Sequence, residues 1–290
     1  MLVPTPLGNI GDMTARAVAT LRAADLVLCE DTRVTARLLA ALGIGGRRLS
    51  PLHEHNEDAR IAEVLALLRQ GRRVALVSDA GTPLLSDPGF RLVRAAIAAG
   101  LPVGALPGPN AAVLALVLSG LPPLPFLVLG FPPPRGAARR AAFARLRAAE
   151  RAGLSATLIW YEAPHRAAAT LADLTEVFGP RPAALAREMT KRFEEVRRGT
   201  LPELAVTCAE APPRGEVTLL VGPPPAEGTG ADDTAGLDAA LRAALASHSL
   251  KEAVARVSAA TGRQRREVYA RALALRTEDG TEPPAVPQSG

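Results

Sequence analysis

The 290-residue chain predicts an α/β protein of two subdomains followed by a small helical domain. Three observations carry that prediction. Short apolar runs alternate with amphipathic segments, the order of a parallel sheet covered by helices. Several of the runs end in polar loops rich in Gly and Pro, where open α/β sheets bind small ligands. Beyond residue 226 a Gly/Ala/Asp stretch separates a basic segment with helical periodicity.

The elements follow in order. Leu2-Val3 is a short strand that ends in the loop Pro4-Thr5-Pro6-Leu7-Gly8-Asn9. Thr14 can cap a helix running to about Ala24. Residues 25–29 read as a strand ending on Glu30-Asp31-Thr32-Arg33, and a helix continues to about Leu42. Residues 49–52 form a short strand before the polar loop His53-Glu54-His55-Asn56-Glu57. Ile61, Val64, Leu65 and Leu68 recur at helical spacing, and Gly71 stops that helix. A strand at 74–77, a helix at 89–99, a strand at 102–106 and an apolar helix at 111–118 complete a subdomain spanning 1–120.

Gly120-Leu121-Pro122-Pro123-Leu124-Pro125 marks a junction. The second subdomain, 121–225, reads as strand 126–129, helix 136–152, strand 156–161, helix 164–177, strands 183–187 and 193–198, helix 201–209 and strand 216–221. A linker at 226–236 leads to a helical domain at 237–276, with helices at 237–247, 250–260 and 264–275. The tail 277–290 is polar and reads as disordered.

Composition narrows the function. No apolar run approaches the roughly 20 residues of a membrane span, and residues 111–118 are the longest. Met1-Leu2-Val3-Pro4 has no basic region before an apolar one, so no secretory signal is expected. Cys29 and Cys208 give neither zinc spacing nor a disulfide framework, and Cys29 sits in an apolar run as a small buried hydrophobe. A cytoplasmic protein is expected. The net charge is +5, but it is unevenly spread. Residues 235–276 carry eight bases against three acids. Most bases are Arg, whose planar fork suits phosphate; GC-rich codon usage explains the preference for Arg equally well, though not the clustering.

The stretch Ser78-Asp79-Ala80-Gly81-Thr82-Pro83-Leu84-Leu85-Ser86-Asp87-Pro88-Gly89 is the most informative. It is either a ligand loop or an ornate strand-to-helix connection. Pro107-Gly108-Pro109-Asn110 ends the next strand, and two such loops on successive strands define opposite walls of a cleft. No G-x-G-x-x-G opens a helix and no Gly-Lys-Ser/Thr occurs, which removes most support for nicotinamide and NTP chemistry.

These motifs resemble the tetrapyrrole methylase superfamily, and within it the branch that methylates small-subunit ribosomal RNA. The resemblance is carried by Pro4-Thr5-Pro6-Leu7-Gly8-Asn9-Ile10-Gly11-Asp12, Cys29-Glu30-Asp31-Thr32-Arg33, residues 78–89 and residues 106–110. Tyr161-Glu162-Ala163-Pro164-His165-Arg166, Ala186-Arg187-Glu188-Met189-Thr190-Lys191 and Gly215-Glu216-Val217-Thr218 continue it, so it spans roughly 2–222 and the C-terminal helices. It implies two α/β subdomains of the tetrapyrrole methylase type with a cleft between them. It further implies S-adenosylmethionine as cofactor, the ribose 2′-hydroxyl of a decoding-region cytidine as acceptor, and a homodimer. The early loop departs from tetrapyrrole methylases proper, which are richer in Gly there. The alternatives are a small-molecule tetrapyrrole methylase and a ligand-sensing nucleic-acid-binding regulator.

By the same resemblance, cofactor contacts are expected at Pro6, Asp79, Ala80, Gly81, Ser86, Asp87, Pro107 and Gly108, and at Tyr161, Glu162, Ala186, Arg187 and Thr218 of the second subdomain. A ribose hydroxyl must lose a proton, so a base is sought. Glu30 and Asp31 end a strand and open a loop, with Glu30 the first choice; capping the next helix or pairing with Arg33 is the alternative. Lys191, one of two lysines, could orient the hydroxyl or lower a neighbour's proton affinity, or simply be exposed.

His53 and His55 with Glu54 could suggest a metal, but the His-x-His spacing lacks a third partner in sequence, so a polar RNA-facing loop is expected. Arg33 and His53 are expected to face RNA. Arg139 and Arg140 belong to an Arg-rich helix that reads as a phosphate contact or a solvated face. Arg263, Arg265 and Arg266 follow a turn at Thr261-Gly262, with helix-turn-helix spacing or a plain three-helix cap as the two readings. Small Ser258 allows a close helix crossing there.

Overall fold

The computed structural model describes residues 1–225, 231–261 and 265–278. The chain separates into two compact units, Met1–Pro224 and Pro225–Gly290.

The first unit contains two sheets. Strands β1 (Leu26–Cys29), β2 (Leu49–Pro51) and β3 (Val74–Leu76) form a parallel sheet in the order β2-β1-β3. Parallel strands need crossovers, and helices α1 (Ala15–Ala23), α2 (Thr32–Ala41), α3 (Glu57–Arg69) and α4 (Phe90–Ala98) accompany them. Alternate side chains of each strand feed opposite cores. Val27, Cys29 and Ala75 pack with Ala17, Leu21 and Leu39 of α1 and α2. Leu26, Leu28 and Leu76 pack with Val64 and Leu92 of α3 and α4. Burial on both faces explains why these strands read as continuous apolar runs. Cys29 is buried as expected.

The expected strands at 2–3 and 102–106 appear only as single bridges, Leu2 to Leu76 and Leu2 to Ala105, both parallel. They still extend the sheet: Leu2 N donates to Gly104 O at 2.7 Å, and Leu106 N to Leu2 O at 3.0 Å. Pro102 and Pro107 flank the second segment and cannot donate to a ladder, which keeps it short.

Helix α5 (Ala111–Ser119) leads to the second sheet: β4 (Phe126–Val128), β5 (Thr157–Glu162), β6 (Pro182–Arg187), β7 (Glu195–Thr200) and β8 (Val217–Val221). Its order is β4-β5-β8-β6-β7; β4 and β5 are parallel and the other pairs antiparallel. Ile159, Ala184, Ala186 and Leu220 pack against Ala112, Ala115 and Leu116 of α5. The opposite face, with Leu158, Trp160, Leu185 and Leu219, packs on Phe143 of α6 (Gly136–Arg151), Leu171 and Leu174 of α7 (Ala167–Phe178), and Leu204 and Cys208 of α8 (Leu201–Glu210). A buried ion pair joins α6 to the start of β6: Arg181 NH2 lies 2.5 Å from Glu150 Oε2, and Arg181 also donates to Gly222 O.

The second unit is a three-helix cluster of α9 (Ala231–Leu245), α10 (Leu250–Thr261) and α11 (Arg265–Glu278). Leu237, Leu241, Val254, Val257, Val268, Ala272 and Leu275 form its core. Arg271 of α11 donates to both carboxylate oxygens of Asp238 of α9, at 2.7 and 2.6 Å. Ser258 is buried on α10, where its small side chain was expected to allow a close crossing. Helix α9 starts within the segment read as a linker, because its Ala and Leu content outweighs Gly236. Residues 226–230, the turn at 262–264 with Arg263, and the tail at 279–290 lie outside the described residues.

Candidate active site

The loop after β3 is tied to three neighbours. Thr5 and Gly81 exchange backbone hydrogen bonds at 2.9 and 3.0 Å, and the buried Thr5 hydroxyl donates to Ser78 O. Asp31 N donates to Asp79 Oδ1 at 3.2 Å, and Thr82 Oγ1 donates to Pro109 O at 2.8 Å. The loops at 4–9, 30–33, 78–89 and 107–110 thus become one surface at the C-terminal edge of the parallel sheet. Its geometry demands unusual backbone. Gly81 has φ of 81°, and two non-glycine residues, Leu84 and Ser86, adopt φ of 75° and 71°. Left-handed backbone at such residues costs roughly 1–3 kcal/mol each and clusters at functional sites.

Opposite this surface stands the edge of the second sheet. Its register sets Tyr161, Thr218 and Ala186 side by side across β5, β8 and β6. Between the two lies a cavity of ≈ 360 Å³, large enough for one small-molecule ligand. Asp79, Ala80, Gly81, Ser86 and Asp87 line one side, and Tyr161, Glu162 and Thr218 the other. Eight of the thirteen expected cofactor residues therefore meet at one cavity.

The other five lie outside the lining, each for a physical reason. Pro6 and Pro107 shape their loops. Gly108 backs onto Pro4, where an added Cβ would come within 2.5 Å of the ring. Ala186 is buried in the core under α5. Arg187 is turned into an ion pair with Glu195, Nε to Oε2 at 2.5 Å, and also donates to Arg214 O. Leu7, Thr82, Leu85, Asn110, Phe131 and Glu216 line the cavity without having been singled out. Glu216 was legible in principle, since it adjoins Thr218 in a quoted motif. Phe131, whose ring packs 5.8 Å from that of Tyr161, follows a strand and carried no such signal.

Carboxylates dominate the electrostatics. Burial and the charges of Glu30 and Asp79 push Asp87 up to about 6, against the pull of the Ser78 hydroxyl. Asp79 is raised by burial, opposed by the Asp31 amide. Glu30 is raised by partial desolvation, then by Asp79, Glu54 and Asp31. Asp31 behaves differently. It caps α2 by accepting from Arg33 N at 2.8 Å and pairs with the Arg33 guanidinium at 2.7 Å, which holds it at about 2. Of the two expected bases, only Glu30 has a raised proton affinity.

Lys191 crosses above Gly8, where an added Cβ would lie 2.4 Å from Lys191 Cγ. Its Nζ donates to Glu188 Oε1 at 2.9 Å and Glu216 Oε2 at 3.2 Å. Burial lowers its proton affinity, but these glutamates outweigh burial and hold it above the ordinary lysine value. It is therefore a cation that fixes the cavity wall and lowers Glu188, rather than a proton acceptor. Glu162 is likewise committed: it accepts from Ala163 N, Thr170 Oγ1 and Arg166.

Among the residues expected to face RNA, Arg33 and His53 are exposed beside this surface. Arg139 requires a correction. Its guanidinium is buried against Asp173 at 2.6 Å and cannot reach a phosphate. Arg140, half-exposed, shares Asp173 and approaches Glu176. In the second unit, Arg265 and Arg266 are exposed and line a groove of ≈ 670 Å³ with Lys251 and Tyr269. Among the described residues, no group of three His, Cys, Asp or Glu could hold a metal, and no helix is long and apolar enough to cross a membrane.

A doubly covered parallel sheet facing a mixed sheet across a loop-lined cavity is the architecture of a known class of methyltransferases. The chain belongs to the tetrapyrrole methylase family: residues 1–205 match Tetrapyrrole (Corrin/Porphyrin) Methylases. The methyl donor of that family is S-adenosylmethionine.

Residues 231–276 match the RsmI C-terminal HTH domain. The chain is 49% identical over 272 residues to ribosomal RNA small subunit methyltransferase I of Micromonospora olivasterospora, covering 92% of this chain and 84% of that protein. It is 44% identical over 281 residues to the protein of the same name from Mesorhizobium japonicum, covering 96% and 92%. Among solved structures it is similar to uroporphyrin-III-C-methyltransferase from Thermus thermophilus, with a TM-score of 0.50, 27% identity, and coverage of 76% and 92%.

Proposed function

We propose that the protein methylates the ribose 2′-hydroxyl of a decoding-region cytidine in small-subunit ribosomal RNA, with S-adenosylmethionine as donor. The observation that carries the donor site is the lining of the cavity. Four carboxylates, apolar Leu7, Leu85, Ala111 and Phe131, and no Lys, Arg or His stand among its described residues. Such walls fit a cationic sulfonium attached to a nucleoside. When bound, S-adenosylmethionine supplies an electrophilic methyl group whose leaving sulfur is neutral, so no general acid is needed.

The chain's own residues do the rest. The backbone of the 78–82 loop and the edge formed by Tyr161 and Thr218 hold the donor; Phe131 and Leu85 cover its apolar part. Glu30, at the end of β1, accepts the hydroxyl proton, since partial desolvation and the neighbouring carboxylates raise its proton affinity. Asp31 fixes Arg33 beside it. Arg33, His53, Arg140, Arg265 and Arg266 contact RNA phosphate, whose affinity must then fall with salt. A homodimer and a cytoplasmic location complete the proposal.

The test is incubation of assembled small subunits and naked ribosomal RNA with labelled donor, followed by mapping of the modified nucleotide. Label on the 2′-oxygen of one cytidine supports the proposal. Label on a base, or on an added tetrapyrrole instead of RNA, refutes it.

A further inference from the structure

The four carboxylates of the cavity are not equivalent. Glu162 is held by Arg166, and Glu216 by Lys191. Asp79 accepts the Asp31 amide. Asp87 stands on the wall with two like charges facing it, Glu30 from the end of β1 and Asp79 from its own loop. The Ser78 hydroxyl favours its ionised form, and across the cavity Tyr161 feels its charge. Behind Glu30 stand Glu54, Asp31 and His53, of which only His53 counters the negative field.

We propose that Asp87 sets the donor preference of the cavity by charge, favouring the sulfonium donor over the neutral thioether left after methyl transfer. This inference rests on the methyl-donor role proposed for the cavity. Donor and demethylated product share their nucleoside and amino-acid groups; they differ by one methyl and one positive charge. Apolar walls and backbone amides can read only the methyl. A half-buried carboxylate with no cation facing it can read the charge, because Coulomb interactions strengthen as water is excluded. The glutamates cannot do so equally, since Arg166 and Lys191 already offset them. The arrangement also gives the product a reason to leave.

Charge reading has a pH signature. Burial and repulsion place the Asp87 carboxyl at about 6, so its charge is present above that pH and lost below it. A cation alongside lowers its proton affinity, and donor binding near that pH must expel a proton. Product binding must not.

Isothermal titration calorimetry on the full chain, with S-adenosylmethionine and with S-adenosylhomocysteine, tests this. Measurements at about pH 5.5 and about pH 7.5 should show the donor-to-product affinity ratio rising roughly threefold, if the bound cation lowers the Asp87 pKa by about one unit. Buffers of different ionisation enthalpy should show proton release with the donor alone. Asp87→Asn should flatten the ratio; Glu30→Gln removes one of the charges that raise Asp87 and should move the change in ratio to lower pH without abolishing it. A wild-type ratio independent of pH, with both molecules binding, overturns the inference and leaves the donor site standing. So does a ratio that keeps its wild-type pH dependence in Asp87→Asn. If neither molecule binds at either pH, the methyl-donor role itself fails. The wild-type ratio decides the matter even if a variant does not fold.

Discussion

Replacing Asp87 with Asn should make the protein more stable at neutral pH. The sign follows from the carboxyl's displacement, from an ordinary 3.8 to about 6 in the folded chain. Below 3.8 the group is protonated folded or unfolded, and it contributes nothing. Between those values the folded state holds the proton more tightly, so stability falls as pH rises. Above about 6 the full penalty of a half-buried, repelled carboxylate is present. At about 1.4 kcal/mol per unit the displacement corresponds to roughly 3 kcal/mol. The group is only partly buried, and solvent screening reduces this to about 1–2 kcal/mol. Asn keeps the shape and a polar tip for Ser78. Urea unfolding of wild type and Asp87→Asn at about pH 4.5 and about pH 7.5 measures the difference. The variant should gain about 1–2 kcal/mol at the higher pH and much less at the lower. A variant no more stable than wild type at both values would refute the repulsion argument. A gain alongside weakened donor binding would be a local stability–function trade-off.

Gly108→Ala places a Cβ 2.5 Å from Pro4 Cβ and 2.9 Å from its Cγ. The proline ring cannot swing aside, so urea unfolding should show a loss of about 1–3 kcal/mol, and calorimetry a weaker donor affinity as the 4–9 and 107–110 loops part. Glu150→Ala leaves Arg181 buried without its partner and should cost about 3–5 kcal/mol in chemical denaturation. Donor affinity of the folded fraction should not change, because the pair lies outside the cavity lining. Arg265→Ala and Arg266→Ala should each reduce the salt slope of RNA binding by about 1 in filter-binding assays, with donor affinity unchanged.

What the sequence made legible depended on the range of the interaction. The strand 74–77 and its loop could be read because apolar periodicity and Gly/Pro punctuation are local. Caps at Thr14 and Asp31 were equally readable, and both side chains accept the amide hydrogen bonds expected of them. The strand expected at 102–106 was overstated, because periodicity says nothing of how few ladder bonds its flanking prolines leave. Arg139 failed for a different reason. Its partner Asp173 lies 34 residues away on another helix, and only the packing of α6 on α7 brings them together. Arg187 shows the same limit: its place in a motif was visible, but its pairing with Glu195 depends on the β6–β7 register. Lys191 was identifiable by rarity alone; its neighbours Glu188 and Glu216 fix its role as a cation.

The stress in this fold is concentrated rather than spread. Leu84 and Ser86, on one side of the cavity, and Glu188 and Thr190, beside the other, are the non-glycine residues with positive φ among those described. Asp87 and Glu30 add electrostatic strain at the same place. Ser86 shows why glycine would not serve as well. Glycine would remove the left-handed penalty but cost about 0.5–1 kcal/mol in unfolded-state entropy, which offsets part of the gain. It would also delete a hydroxyl oxygen that lies 3.2 Å from where a Cβ on Gly130 would stand. Gly130 precedes Phe131, a cavity residue, and Gly130 O accepts the Tyr161 amide at 3.1 Å. The strained loop therefore comes close to the strand end that carries the opposite wall. Two sheets, each buried on both faces, supply the stability that holds this unfavourable geometry in place. Under the proposed function, a cationic donor would offset the repulsion at Asp87 in a cavity already formed.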